Sequence, residues 1–212
     1  MKTILAYGDS LTWGSSPTDG ARHDRAYRWP EALQAGLGGK AEVITDGLRG
    51  RTTAYDEHLA DCDRNGARIL PTVLYAHAPL DLVILMLGAN DMKPHIAGTA
   101  LAAMQGMRRC VSIVQNHVAR AGDERPEIIV VAPPALCETG NTEFAAMFAG
   151  RVEQSKMVAS FYRELADEAG VSFFDAGSVC KTSPLDGVHV DAEATKAIGV
   201  ALVPIVRLML GL

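Results

Sequence analysis

Five short apolar runs, separated by segments with helical spacing, constrain the fold of this 212-residue chain most strongly. Continuous apolar runs of this length are typical of strands that are buried on both faces of a sheet. The five runs are residues 3–7, 41–45, 81–87, 127–132 and 171–174. Strands that alternate with helices favour right-handed crossovers and a parallel sheet. We therefore predict a single α/β domain over residues 1–212, a three-layer α/β/α sandwich around a flavodoxin-like, five-stranded parallel sheet.

The segments between the runs carry helix signals. A helix is predicted to begin near Trp29, because Pro30 then occupies a first-turn position where its missing N–H costs nothing. A long helix is predicted from about Thr99 to Ala121, with one apolar side facing the core. That side comprises Leu101, Met104, Met107, Val111, Val114 and Val118. A further helix is predicted from the spacing of Val152, Met157, Phe161, Leu165 and Ala169.

Composition argues against several classes of protein. The formal net charge is −5 and the basic residues form no block, so we expect no nucleic-acid partner. The apolar stretch at residues 198–210 is interrupted by Pro204 and Arg207 and is too short for a bilayer, so no membrane partner is expected either. The four cysteines lie far apart without a CxxC pair, which predicts neither a disulfide framework nor a zinc site. We expect a cytoplasmic protein that acts on a small molecule without a metal or cofactor.

Polar side chains follow the apolar runs where each predicted strand ends. Ser10 follows the first strand, and Asp186 and His189 lie in a long loop after the fifth. A serine hydroxyl becomes nucleophilic when a neighbouring imidazole takes its proton, and a carboxylate fixes the tautomer of that imidazole. We predict Ser10, Asp186 and His189 as catalytic residues. The alternative is that Ser10 only caps a helix, since Ser is among the commonest N-cap residues.

Three donors are predicted to stabilise the negative charge of a tetrahedral intermediate. They are the backbone N–H groups of Ser10 and Gly50 and the side-chain amide of Asn90. Gly50 suits this role because a glycine lets a substrate approach the backbone closely. The alternative for Asn90 is that it closes a turn by bonding its own backbone.

Four sequence blocks resemble the GDSL or SGNH hydrolase family. They are Gly-Asp-Ser-Leu at residues 8–11, the block around Gly50, Gly-Ala-Asn-Asp at residues 88–91 and the Asp-x-x-His of residues 186–189. The blocks occur in the order of the family and extend over the chain from end to end. Arg49 stands where the family usually has serine or alanine, and Gly47 is the alternative oxyanion donor. The resemblance implies the SGNH hydrolase fold and a serine esterase.

Further residues look like a branch of bacterial arylesterases that includes a mycobacterial acyltransferase and perhydrolase. The similar segments are residues 8–14, 51–53, 81–84 and 173–178. This resemblance implies small, short-acyl ester substrates, acyl transfer as a side activity and a homo-oligomer such as an octamer. The substrate pocket is predicted to involve Asp9, Leu11, Trp13, Ala89, Pro134, Phe148 and Val188. Ordinary loop packing is the alternative for Trp13, and helix capping for Asp9.

Several other functions compete with a short-acyl esterase. Within the family they are a carbohydrate O-deacetylase and a lysophospholipase or thioesterase. A metallophosphoesterase would use Asp9, Asn90, Asp91 and His189 as ligands, but these are too few for a two-metal site. A module that only binds a small phosphorylated ligand would leave the pairing of Asp186 with His189 unexplained.

Overall fold

The computed structural model describes residues 1–118, 120 and 124–212, and its centre is a five-stranded parallel sheet in the order β2-β1-β3-β4-β5. The strands are β1 (Lys2–Gly8), β2 (Ala41–Gly47), β3 (Leu82–Met86), β4 (Glu127–Ala132) and β5 (Ser172–Asp175). The helices are α1 (Ser10–Trp13), α2 (Trp29–Gly36), α3 (Gly66–His77), α4 (Ala100–Gln115), α5 (Thr142–Met147), α6 (Val152–Ala169) and α7 (Ala192–Leu210). The predicted α/β fold is confirmed.

Helices cover both faces of the sheet because successive side chains of a strand point to opposite faces. Leu5 and Tyr7 of β1 face a core that contains buried side chains of α3, α4 and α6. Ile4 and Ala6 of the same strand face a second core with buried side chains of α2 and α7. Two cores separated by one sheet make the three-layer sandwich.

The position of β1 determines where the strand ends meet. The chain passes from β1 to β2 on one side and returns to β3 on the other, so that Gly8 pairs with both Gly47 and Met86. In open α/β sheets, ligands bind beyond the carboxyl ends of the strands at such a switch point. The loops after β1, β2 and β3 therefore meet at one edge of the sheet.

The predicted face of α4 is partly wrong. Leu101 is 48% exposed and Val118, which lies beyond the end of the helix, is 37% exposed. Small residues take the buried positions instead, since Gly106 lies so close to Thr53 that a Cβ there would overlap the threonine side chain. The helix ends at Gln115, and Ala121, its predicted end, lies outside the described residues.

The predicted face of α6 is correct except at Met157, since Leu165 is buried and Val152, Phe161 and Ala169 pack against the core. Met157 is exposed, whereas Val158 and Tyr162 are buried. The Tyr162 hydroxyl donates to the Leu87 carbonyl at 3.0 Å. A satisfied hydroxyl lets a large polar aromatic side chain enter the core, which hydrophobic spacing alone does not reveal.

Two further features of the structure concern the length of its helices and the state of its cysteines. Each helix in the described part of the chain falls short of the length and apolarity that crossing a bilayer requires. The four cysteines are free thiols, of which Cys110 and Cys180 are buried and Cys62 is exposed.

Candidate active site

Ser10 lies at the carboxyl end of β1, where a tight turn leads into α1. A Cβ on Gly8 would lie 2.0 Å from the Thr12 hydroxyl, so this turn has no space for a side chain. Asp9 caps α1 by accepting a hydrogen bond from the N–H of Leu11 at 2.9 Å. Ser10 is therefore held at the base of the crevice beyond the sheet, with its hydroxyl directed out of the strand.

The structure brings the three predicted catalytic side chains together. His189 Nε2 lies 2.9 Å from Ser10 Oγ, and His189 Nδ1 lies 2.6 Å from Asp186 Oδ2. Burial raises the pKa of Asp186, but hydrogen bonds from the His189 ring and from the backbone N–H groups of Val188 and His189 outweigh burial and hold it below its usual value. A charged carboxylate accepts from Nδ1–H and leaves Nε2 free to accept from the serine.

The loop that carries His189 is closed by hydrogen bonds of its own. The N–H of Ser183 donates to the His189 carbonyl at 2.7 Å, and the N–H of Gly187 donates to the Ser183 carbonyl at 2.8 Å. Gly187 has a φ of +78°, and a Cβ there would lie 2.5 Å from the Cys137 carbonyl. A glycine is thus required between Asp186 and His189 by both the backbone conformation and the space.

Two of the three predicted oxyanion donors have a free N–H. Among the residues that the structure describes, the backbone N–H groups of Ser10 and Gly50 donate to no protein acceptor. Gly50 has a φ of +83° and lines the crevice. Gly47 ends β2, and a Cβ on it would lie 2.4 Å from the backbone nitrogen of Trp13. Gly50 rather than Gly47 is therefore placed beside Ser10.

The third predicted donor, Asn90, connects two loops. Its Nδ2 lies 3.3 Å from Asp9 Oδ2 and 3.2 Å from the Arg51 carbonyl. Both distances are at the long end for hydrogen bonds, so the amide is oriented by two acceptors without being strongly bound to either. Asn90 also lines the crevice next to Ser10.

Arg51 fixes the loop that contains Gly50, a role that the sequence analysis missed. Its guanidinium donates to the carbonyls of Gly8 at 2.9 Å and Asp46 at 2.8 Å, and to the Asp46 carboxylate at 2.7 Å. It also lies over the ring of Tyr7, 4.0 Å from the centroid. The side chain is 96% buried and ties the ends of β1 and β2 together.

A buried pair of acids lies beneath the same loops. Asp91 accepts hydrogen bonds from the hydroxyl of Thr53 and from its N–H, at 3.1 and 3.2 Å to the two carboxylate oxygens. Burial raises the pKa of Asp91 to about 7 and that of Asp9 to about 6, and the charge of Asp9 adds to the shift of Asp91. Each carboxyl group is held where its charged form is disfavoured.

The crevice around Ser10 and His189 has a volume of about 370 Å³. Phe148 and Val188 line it as predicted, and Phe144 and Met147 extend this apolar wall. The Phe144 ring lies 5.8 Å from the His189 ring, edge to face. Phe144 and Met147 belong to α5, and Phe148 is the residue after it. A helix of six residues is too short for its hydrophobic pattern to predict which side faces the serine.

Five residues predicted for the pocket do not line this crevice. They are Asp9, Leu11, Trp13, Ala89 and Pro134. All except Trp13 are buried, and Leu11 belongs to the core beneath α2 and α7. Trp13 lies between two guanidinium groups, each 5.1 Å from its ring, those of Arg22 and Arg49. Packing and cation–π contacts explain these positions.

A cationic wall also lines the crevice, which the sequence analysis missed as well. It comprises Arg49, Arg64 and Lys93, while one acid, Glu143, lines the crevice from α5. A sequence signal existed for Lys93, which follows Asn90 by three residues in the same short turn. None existed for Arg64, which lies in an acid-rich loop far along the chain from Ser10.

Comparison with known proteins agrees with this geometry. The model of the GDSL-like lipase/acylhydrolase family matches residues 6–197. A carbohydrate acetylesterase family member from Sinorhizobium meliloti is 62% identical with a TM-score of 0.98, and each chain is covered in full. A second carbohydrate acetylesterase from that organism is 37% identical with a TM-score of 0.93, over 99% of this chain and 100% of the other.

An aryl esterase from M. smegmatis is 40% identical with a TM-score of 0.93, over 99% of this chain and 100% of its own. No curated protein gives a significant match. The family model covers far more than half of the chain, and the similar solved structures share its whole fold. The chain therefore belongs to the GDSL-like lipase/acylhydrolase family and is an enzyme that hydrolyses esters.

Proposed function

We propose that this enzyme is a serine esterase that hydrolyses small, short-acyl carboxylic esters through an acyl-enzyme on Ser10. The observation that carries the proposal is the continuous hydrogen-bonded chain from Ser10 Oγ through His189 to Asp186, at 2.9 and 2.6 Å. These distances are within the reach that a nucleophile and its general base require.

In the proposed mechanism, His189 Nε2 accepts the hydroxyl proton as Ser10 Oγ attacks the carbonyl carbon. The former carbonyl oxygen becomes negatively charged and accepts hydrogen bonds from the N–H groups of Ser10 and Gly50 and from the amide of Asn90. The protonated His189 then gives its proton to the departing alcohol. A water molecule repeats these steps on the acyl-enzyme and releases the acid.

The preference for short acyl groups rests on the crevice and on the relatives. A crevice of about 370 Å³, shared by acyl group and alcohol, favours acetyl and similar esters over the long chains of a lysophospholipid or acyl thioester. The names of the similar proteins, carbohydrate acetylesterase and aryl esterase, support an acetyl group on a sugar or aryl alcohol.

A fluorophosphonate and a series of nitrophenyl esters test this proposal. We expect one covalent adduct on Ser10 and rates that fall beyond short acyl chains. The matched control is Ser160→Ala, because Ser160 is exposed on α6 and its loss should change neither adduct nor rate. Active enzyme without label on Ser10 would refute the mechanism, whereas rates that rise with chain length would refute only the short-acyl preference.

Acyl transfer to alcohols or peroxide is a second proposed activity. The apolar wall of Phe144, Met147 and Phe148 lies on the His189 side of the crevice, where the attacking alcohol or water must approach. An apolar surface there reduces access of water to the acyl-enzyme. The test is the product ratio in water with added alcohol, and hydrolysis alone at high alcohol concentration would contradict transfer.

Other sequence-based expectations remain predictions for this enzyme. They are the homo-oligomer, the cytoplasmic location and activity without a metal. Sedimentation of the purified protein measures the first. Activity that persists in the presence of a chelator is the expected outcome for the last.

A further inference from the structure

Positive charge is concentrated in the crevice, on a chain whose formal net charge is −5. Three cations and one carboxylate line it, as described above. Surface cations of a protein normally lie among acids that neutralise them, and a cleft with an excess of one sign of charge concentrates ligands of the opposite sign. The cationic wall therefore needs an explanation that ester hydrolysis itself does not supply.

Arg64 is the first group that points to a charged ligand. A Cβ built on Gly50 would lie 2.8 Å from its Cζ, Nε and Nη1, so the guanidinium lies directly against the glycine proposed to bind the oxyanion. Its Nε is buried and has no hydrogen-bond partner among the described residues. A buried donor without an acceptor is costly, and a ligand oxygen in the crevice would supply the missing acceptor.

Lys93 is the second group. It is only 7% exposed, and the oxygen of Glu57 with which it forms an ion pair is 3.8 Å from its Nζ, too far for a hydrogen bond. That same oxygen also lies 3.2 Å from His95 Nε2. Burial lowers the pKa of Lys93 and the nearby charge of Arg64 lowers it further, although the charges of Glu57, Asp9 and Asp91 oppose the shift. A buried ammonium beside a second cation is stabilised when an anion binds between them.

We propose that the crevice binds ester substrates that carry a carboxylate, and that Arg64 and Lys93 bind this carboxylate and determine substrate specificity. The planar guanidinium matches a carboxylate in a paired geometry, and the ammonium adds a point charge. The carboxylate belongs either to the acyl part, as in the half-ester of a dicarboxylic acid, or to the alcohol part, as in an acylated acidic sugar or hydroxy acid. This inference rests on the proposed function.

Two pairs of substrates of matched shape test it. Monoethyl succinate and ethyl levulinate differ in the charge of the acyl part, and 4-acetoxybenzoate and 4-acetoxyacetophenone differ in the charge of the alcohol part. The measured quantity is the ratio of kcat/KM for the anionic ester to that for its neutral partner. We expect this ratio to fall about tenfold or more in Arg64→Gln or Lys93→Met, for at least one pair. The pair that responds identifies the part of the substrate that carries the charge.

The ratio separates specificity from damage to the oxyanion loop, because a displaced Gly50 slows both members of a pair alike. If Lys93→Met fails to fold, the two Arg64 variants still test the inference. Arg64→Lys keeps the positive charge and should retain part of the preference for anionic esters that Arg64→Gln loses. Arg108→Gln, an exposed α4 residue paired with Glu168, changes the net charge equally and should leave the ratio unchanged.

Two results would overturn the inference. One is that the ratio of kcat/KM for anionic and neutral esters stays at the wild-type value in both Arg64→Gln and Lys93→Met, for both pairs of substrates. The other is a fall of the same size in Arg108→Gln, which would show a general field effect. If the neutral esters are hydrolysed in either case, the proposed esterase function stands and only the charge preference fails.

Discussion

The two halves of the active site are held in place in different ways. The turn with Asp186 and His189 is closed by hydrogen bonds between residues at most six positions apart in sequence. One neighbouring segment supports it from outside, since the N–H of Cys137 donates to the Gly187 carbonyl at 3.0 Å and the Thr139 hydroxyl to the Leu185 carbonyl at 3.1 Å. The half around Ser10 depends on bonds between distant residues, such as Arg51 to Gly8, Thr53 to Asp91 and Asn90 to Asp9, with separations of 43, 38 and 81 residues. The base is thus supported by one turn and one adjacent segment, and the nucleophile and oxyanion donors by the packing of three strand ends.

This difference predicts distinct consequences of substitution. Changes in the local half should remove activity while the fold survives, because the contacts that join β1, β2 and β3 lie outside that turn. Changes in the half around Ser10 should reduce stability and activity together, because the same contacts join β1, β2 and β3.

The largest expected effect is the loss of the base. His189→Ala should lower kcat on nitrophenyl acetate by about 10⁴-fold or more, because the serine then has no proton acceptor. The thermal unfolding midpoint should change little. His58→Ala, in the loop between β2 and α3, serves as the control. Near-normal turnover in His189→Ala would mean that another residue is the base.

Removal of one oxyanion donor should have a smaller effect. Asn90→Ala should lower kcat about 10²–10³-fold and change KM little, since the amide acts on charge that develops only in the transition state. The exposed Asn116 offers the matched control Asn116→Ala. An Asn90→Ala enzyme with normal kcat would show that the amide only orients Asp9 and the Arg51 loop.

The long-range half is tested most directly through Arg51. Arg51→Met should lower the free energy of unfolding by about 3 kcal/mol, because the Asp46 carboxylate and two buried carbonyls lose their donor. It should also lower kcat, since the loop of Gly50 is released. Chemical denaturation and steady-state kinetics measure the two effects. Reduced activity with unchanged stability would contradict the proposed difference between the halves.

The smallest effect concerns pH and the buried acid Asp91. Its pKa is about 7 in the fold against an ordinary value of 3.8, mainly because of burial, so the folded protein holds the proton more tightly. The associated stability is fully present below about pH 4 and is lost as the pH rises through 7.

Asp91→Asn cannot ionise, so its unfolding free energy should rise relative to wild type between pH 4 and pH 8. Denaturant titrations at several pH values measure the difference. The exposed Asp61 provides the control Asp61→Asn. A difference between Asp91→Asn and wild type that is the same at every pH would mean that the carboxyl group keeps an ordinary pKa.

What could be predicted from sequence follows the same division. The strands and the Asp-x-x-His turn depend on neighbouring residues, and both were located correctly. The contacts of Arg64 with Gly50 and of Arg51 with the Tyr7 ring depend on how loops meet after folding, and no local pattern marks them. Trp13 was predicted as part of an aromatic rim of the pocket, with loop packing as the alternative, and its ring instead contacts two guanidinium groups.

The distance along the chain between Ser10 and His189, 179 positions, has a consequence during synthesis. The serine leaves the ribosome early, before β2 and β3, the strands that pair with β1, and long before the imidazole that activates it in the proposed mechanism. Esterase activity should therefore begin only after the segment with His189 has emerged and folded onto the sheet. We therefore expect truncated chains that end before His189 to lack esterase activity.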